Sequence, residues 1–107
     1  MTEDLRPRIA LDHAQIEEFC RKWQIVEFSL FGSVLTNDFR PDSDVDVLVT
    51  FAKNAKWSTL HLHRMEQVLA QLTGRPVDLL TKRGVESMEN YIRRDSILRG
   101  TRVYYAA

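Results

Sequence analysis

Residues 25–51 read IVEFSLFGSVLTNDFRPDSDVDVLVTF, and the fold turns on how that stretch divides. Ile25 to Phe31 is short and rich in β-branched and aromatic residues, which predicts a strand ending at Gly32-Ser33. Ten residues follow, 34–43. Their second half is read as loop, because Pro41 disfavours helix at Arg40 and Asp42-Ser43 is turn chemistry. Val45 to Phe51 is a second strand with Val45, Val47 and Val49 on one face. Asp44 and Asp46, two residues apart, therefore project together, their Cα atoms roughly 6.6 Å apart.

Outward from this centre the pattern alternates between helix and strand. Asp12 is placed as an N-cap with Gln15 three residues on, and Ile16, Phe19, Cys20 and Trp23 form one apolar helical stripe. From about Trp57 to Thr73, Met65, Val68, Leu69 and Leu72 repeat the helical spacing, and Gly74 stands where a C′ glycine belongs. Pro76 to Thr81 (PVDLLT) predicts a third strand opened by proline. Glu86 to Leu98 reads as a helix, and Thr101 to Tyr105 as a terminal strand. The expected fold is α/β or α+β: a small twisted mixed sheet of about four strands flanked by helices.

Composition narrows the class. A chain of 107 residues suits one domain, taken as 1–107, with a modest core. Hydrophobic residues at 44% and charged residues at 28% exclude disordered and fibrous types. Lys+Arg and Asp+Glu are both 15, so there is no overall basic footprint and direct nucleic-acid binding is not expected. A single cysteine, Cys20, cannot form an internal disulfide and suits a reducing cytoplasm. No apolar run reaches the roughly 18 residues of a membrane span, and no apolar segment follows the polar start as a signal peptide requires.

The chemistry is concentrated between Gly32 and Asp46. Two carboxylates facing the same way repel each other, and packing offers no reason to place them so. A divalent cation does, because Mg²⁺ takes oxygen ligands from one or two carboxylates and from substrate phosphates. Asp78 repeats the pattern inside the apolar strand Val77-Asp78-Leu79-Leu80, where its face can meet that of Asp44 and Asp46. Three carboxylates on two strands can bridge two metals about 3.5–4 Å apart, an arrangement used in phosphoryl transfer. Gly32, lacking Cβ, permits close backbone approach to phosphates, and Ser33 offers a hydroxyl and an N–H. Ser43 lies close enough to touch a phosphate, although turn formation accounts for it and for Asp42.

The pattern G-S-x10-D-x-D with a strand aspartate about thirty residues on resembles the minimal nucleotidyltransferase family of the DNA polymerase β-like superfamily. The likeness extends over RPDSDVDVLV at Arg40–Val49, GRPVDLLT at Gly74–Thr81 and IRRDSILRGTRVYYA at Ile92–Ala106. Val34 departs from it, standing where many relatives carry a polar or basic residue. The resemblance implies a polymerase β-like fold with Gly32 and Ser33 on the triphosphate. It also implies Asp44 and Asp46 on Mg²⁺, Asp78 as third carboxylate, and ATP as substrate. It further implies an antitoxin that transfers AMP to a tyrosine hydroxyl of a HEPN-type ribonuclease toxin, with which it would form a hetero-oligomer. Two alternatives are a non-catalytic antitoxin that acts by binding, and the nucleotide-binding subunit of a two-chain transferase acting on a small molecule or RNA.

Other notable residues have simpler readings. His61 and His63 lack metal partners at zinc spacing and are assigned to helix surface or packing, and His13 to an exposed first turn. Arg40 is a solvated loop residue, or a phosphate contact. Arg93, Arg94, Arg99 and Arg102 form a basic cluster, taken as a solvated helix face in preference to a docking surface or phosphate contact. Trp57 and the pair Tyr104-Tyr105 are candidate contacts for a protein acceptor.

Overall fold

The computed structural model describes residues 11–36 and 43–107. The loop reading of Pro41 and Asp42 and the role of Arg40 lie outside these residues. In chain order the elements are α1 (His13–Lys22), β1 (Ile25–Phe31), a 3₁₀ turn (Gly32–Leu35), β2 (Val45–Phe51), α2 (Thr59–Thr73), β3 (Val77–Thr81), α3 (Lys82–Glu86), α4 (Tyr91–Gly100) and β4 (Arg102–Ala106). The strands form one mixed sheet in the order β3-β2-β1-β4, in which β1 is antiparallel to β2 and β4 while β2 and β3 run parallel. A parallel pair needs a crossover, and α2 supplies it.

Local signals account for most boundaries. Asp12 caps α1 by accepting from the N–H of Ala14 at 2.9 Å and of Gln15 at 3.3 Å. Ser58 caps α2, and the His61 ring nitrogen Nδ1 accepts from the Ser58 N–H at 3.1 Å, closing a reciprocal cap. Gly74 ends α2 at φ 72°, the left-handed cap that the sequence indicated. The last helical stretch departs from expectation, because it divides into α3 and α4 around residues 87–90. Asn90 causes the restart: its side chain accepts from the Arg93 N–H at 3.1 Å, capping a new helix inside the segment read as continuous.

Alternation along the strands separates two cores. Phe28, Leu30, Val45, Val47 and Val49 face α1 and α2, where they join Ile16, Phe19, Cys20, Trp23, Met65 and Leu69. On the opposite face Phe31 and Leu48 meet Val85 of α3 and Ile97 of α4, with Leu80 beside them. At roughly 1.5–3 kcal/mol per fully buried large side chain, the first cluster supplies most of the hydrophobic stabilisation. The second face is therefore free to carry polar residues at the end that α4 leaves uncovered.

Cys20 sits in the first core with no exposed surface, and burial pushes its thiol pKa up to about 12. Thiolate is the reactive form, so the folded protein should not react with an aromatic disulfide reagent at pH 8. Absorbance should report one thiol per chain only after denaturant is added; rapid labelling of the native protein would show that the α1 face is open.

Candidate active site

The site is built by strand register. β2 and β3 pair in parallel with Asp46 directly opposite Asp78, and β1 and β2 pair with Phe31 opposite Asp46. Neighbouring strands lie about 4.8 Å apart, so Asp46 and Asp78 stand side by side on one face of the sheet. Asp44 is exposed just before β2, two residues from Asp46. The three carboxylates that the sequence singled out are thus brought to one end of the sheet, on the face that Leu48 and Leu80 share with the smaller core.

Gly32 follows Phe31 and therefore borders Asp46. Its φ of 78° lies in the left-handed region, and a Cβ there would collide with Asp46 Oδ2. Both the backbone angle and the contact require glycine. The 3₁₀ turn is held by Thr36, whose N–H and hydroxyl both donate to the Ser33 carbonyl, at 2.9 and 3.0 Å. Ser33 is half-buried beside Asp46's neighbour Gly32, and Ser43 is half-buried at the start of the carboxylate strand.

Electrostatics single out Asp46. Its carboxyl pKa is raised, first by burial, then by the charge of Asp78 and that of Asp44, and it is drawn partly back by Arg93. Among the described residues no hydrogen bond to its carboxylate relieves this crowding. The donor set is oxygen only and like-charged, which fits a hard divalent cation. No three His, Cys, Asp or Glu side chains among the described residues converge closely enough to enclose a metal by themselves. That also fits Mg²⁺, which keeps waters and completes its shell with substrate phosphates.

Two residues important to this end of the sheet were not legible as such. Glu66 of α2 accepts the N–H of Leu79 at 2.9 Å, so an otherwise unpaired donor on edge strand β3 is tied down immediately after Asp78. No local pattern marks Glu66; only the α2 crossover brings it there. Arg93 was assigned to a solvated face, yet its charge acts on Asp46. The proposed contact role of Trp57 is corrected: it is half-buried against the main core, edge-on to Trp23 at 5.1 Å, and donates its ring N–H to the Trp23 carbonyl at 2.9 Å. Tyr104 and Tyr105 likewise pack against that core, Tyr104 near Phe28 and His13. His61, as expected, serves in capping and packing.

The sheet order and the strand-end carboxylates define a nucleotidyltransferase architecture. The nucleotidyltransferase domain model matches residues 13–103, and the chain belongs to that family. It is 34% identical over 74 residues to the protein adenylyltransferase MntA of Thermococcus cleftensis, covering 69% of this chain and 73% of that protein. A toxin–antitoxin crystal structure with AMP-PNP superposes with a TM-score of 0.69 at 19% identity, over 91% of this chain and 75% of the other. The Shewanella oneidensis complex of tri-AMPylated HEPN toxin with MNT antitoxin matches with a TM-score of 0.61 at 18% identity, over 89% and 70% of the chains. These two structures share the fold, a mixed four-stranded sheet with flanking helices, as the sequence analysis expected.

The crowding at Asp46 has a stability consequence. Asp46→Asn keeps the shape and removes one of three repelling charges, so the metal-free variant should melt about 2–5 °C above wild type. It should also lose nucleotide transfer. Calorimetry without divalent ions checks this, and a lowered midpoint would show that the carboxylate is a structural asset.

Proposed function

We propose that the protein is a metal-dependent adenylyltransferase that moves AMP from ATP to a tyrosine hydroxyl of a HEPN-type ribonuclease toxin, and so acts as its antitoxin in the cytoplasm. The observation that carries this reading is the register of Asp46 against Asp78 with Gly32 abutting Asp46. Further support comes from the adenylyltransferase name of the MntA relative and from the AMPylated toxin in the Shewanella complex. The AMP-PNP bound in the other toxin–antitoxin structure supports ATP as the nucleotide. The partner is a toxin protein held in a hetero-oligomer. No helix among the described residues is long and apolar enough to cross a membrane.

In this reading Gly32 and Ser33 receive the triphosphate, with the Ser33 hydroxyl and N–H as donors and Ser43 within reach from the other side of the loop. Asp44, Asp46 and Asp78 hold Mg²⁺, two ions being the number that suits three carboxylates. The bound metal neutralises phosphate charge and lowers the cost of charge developing on the leaving group. Asp78, exposed on the edge strand, faces the acceptor and takes the proton of the attacking hydroxyl. The hydroxyl oxygen bonds to the α-phosphorus as the bond to pyrophosphate breaks, which leaves an AMP ester on the tyrosine. Positioning and charge neutralisation carry most of such a reaction, so a small domain suffices.

The test is transfer of label from α-labelled ATP, with Mg²⁺, to the HEPN-type protein encoded beside this one, using an Asp44→Asn/Asp46→Asn double variant as control. Wild type alone should label the partner on tyrosine, and chelation should stop the reaction. A tight complex with no transfer from any of the four nucleotides would leave a binding antitoxin in its place. Label on a small molecule or RNA instead would indicate the two-chain transferase.

A further inference from the structure

The nucleotide reading leaves one charged group near the carboxylates without a task. Arg93 lies in the first turn of α4, where the Asn90 cap fixes its backbone N–H at 3.1 Å. Residues four apart on a helix share a face, so Arg93 sits one turn before Ile97 on the same stripe. Ile97 is buried against Phe31 and Leu48, and Phe31 is the register partner of Asp46. The stripe therefore runs from the small core toward the carboxylates and ends on a guanidinium.

That guanidinium stands off from them. Among the described residues Arg93 makes no ion pair within 4 Å, whereas its neighbour Arg94 meets Asp95 at 3.5 Å. A surface arginine serving only to neutralise Asp46 would be expected to close on it. Arg93 instead acts on Asp46 from a distance and keeps its donors unengaged. The group that belongs between a cation and a cluster of metal-binding carboxylates is an anion carried with the metal. A planar fork of N–H donors matches phosphate oxygens in pairs.

We propose that Arg93 is a substrate-binding residue whose guanidinium takes phosphate oxygens of the triphosphate held against Asp44, Asp46 and Asp78. This rests on the nucleotidyltransferase reading and adds a protein cation to a phosphate cradle that otherwise consists of Gly32, Ser33 and metal. It also gives the restart of the chain at Asn90 a purpose, since a continuous helix from Glu86 would not set Arg93 in a capped first turn.

The experiment is equilibrium binding of Mg²⁺-ATP to wild type, Arg93→Gln, Arg93→Lys and, as a control, Arg99→Gln, with each melting midpoint measured without nucleotide. Arg93→Gln keeps much of the side-chain stem and should bind ATP at least about tenfold more weakly, the scale of one charge-assisted contact. Arg93→Lys should recover part of that loss, Arg99→Gln should match wild type, and the midpoints should agree. ATP affinity unchanged in Arg93→Gln, or no better in Arg93→Lys, would overturn the assignment while leaving the transferase reading intact. Failure of wild type to bind any nucleoside triphosphate would sink that reading, and the role of Arg93 with it.

Discussion

Placing Asp46 beside Asp78 costs electrostatic energy, because both carboxylates project from adjacent parallel strands and Asp46 is half-buried with Asp44 close by. Much of the remaining architecture accommodates that cost. The first core, on the opposite face, carries most of the hydrophobic stabilisation. The edge strand bearing Asp78 is pinned through the Leu79 N–H to Glu66. Gly32 removes the one Cβ that would overlap the Asp46 carboxylate. A group of like charges held this firmly is arranged for a cation to arrive, together with the anionic substrate that accompanies it.

The division between the faces explains how a small domain tolerates such a site. One face of β1 and β2 is apolar without interruption and is sealed by α1 and α2. The other is apolar only where α3 and α4 cover it, at Phe31, Leu48 and Leu80, and polar at the end that they leave open. Stability and chemistry thus reside largely on opposite sides of one sheet. Substitutions at Asp44, Asp46 or Asp78 bear on activity far more than on folding, and those at Met65 or Leu69 do the reverse.

How legible each feature was follows from the range of the interactions that set it. β1 and β2 could be bounded from composition and period alone, and Asp12 and Gly74 from cap chemistry, because those signals are local. The shared face of Asp46 and Asp78 could be anticipated from alternation within each strand, but not their direct pairing, which depends on how far α2 carries the chain before β3 begins. Arg93, Glu66 and the burial of Trp57 depend on contacts between elements distant in sequence. A basic helix face, a lone helical glutamate and a tryptophan before a helix all have ordinary surface readings until the fold brings them together. The division at Asn90 was missed for a different reason: periodicity on both sides is helical, and one capping side chain outweighed it.

The central claim is that the three aspartates and the Gly32-Ser33 turn hold one metal–nucleotide complex. Anomalous diffraction from crystals grown with Mn²⁺ and a non-hydrolysable ATP analogue tests it most directly. The account predicts an Mn²⁺ peak within coordination distance of Asp44 and Asp46, with the phosphates between that ion and Ser33. A nucleotide bound elsewhere, or a metal that ignores these carboxylates, would contradict it.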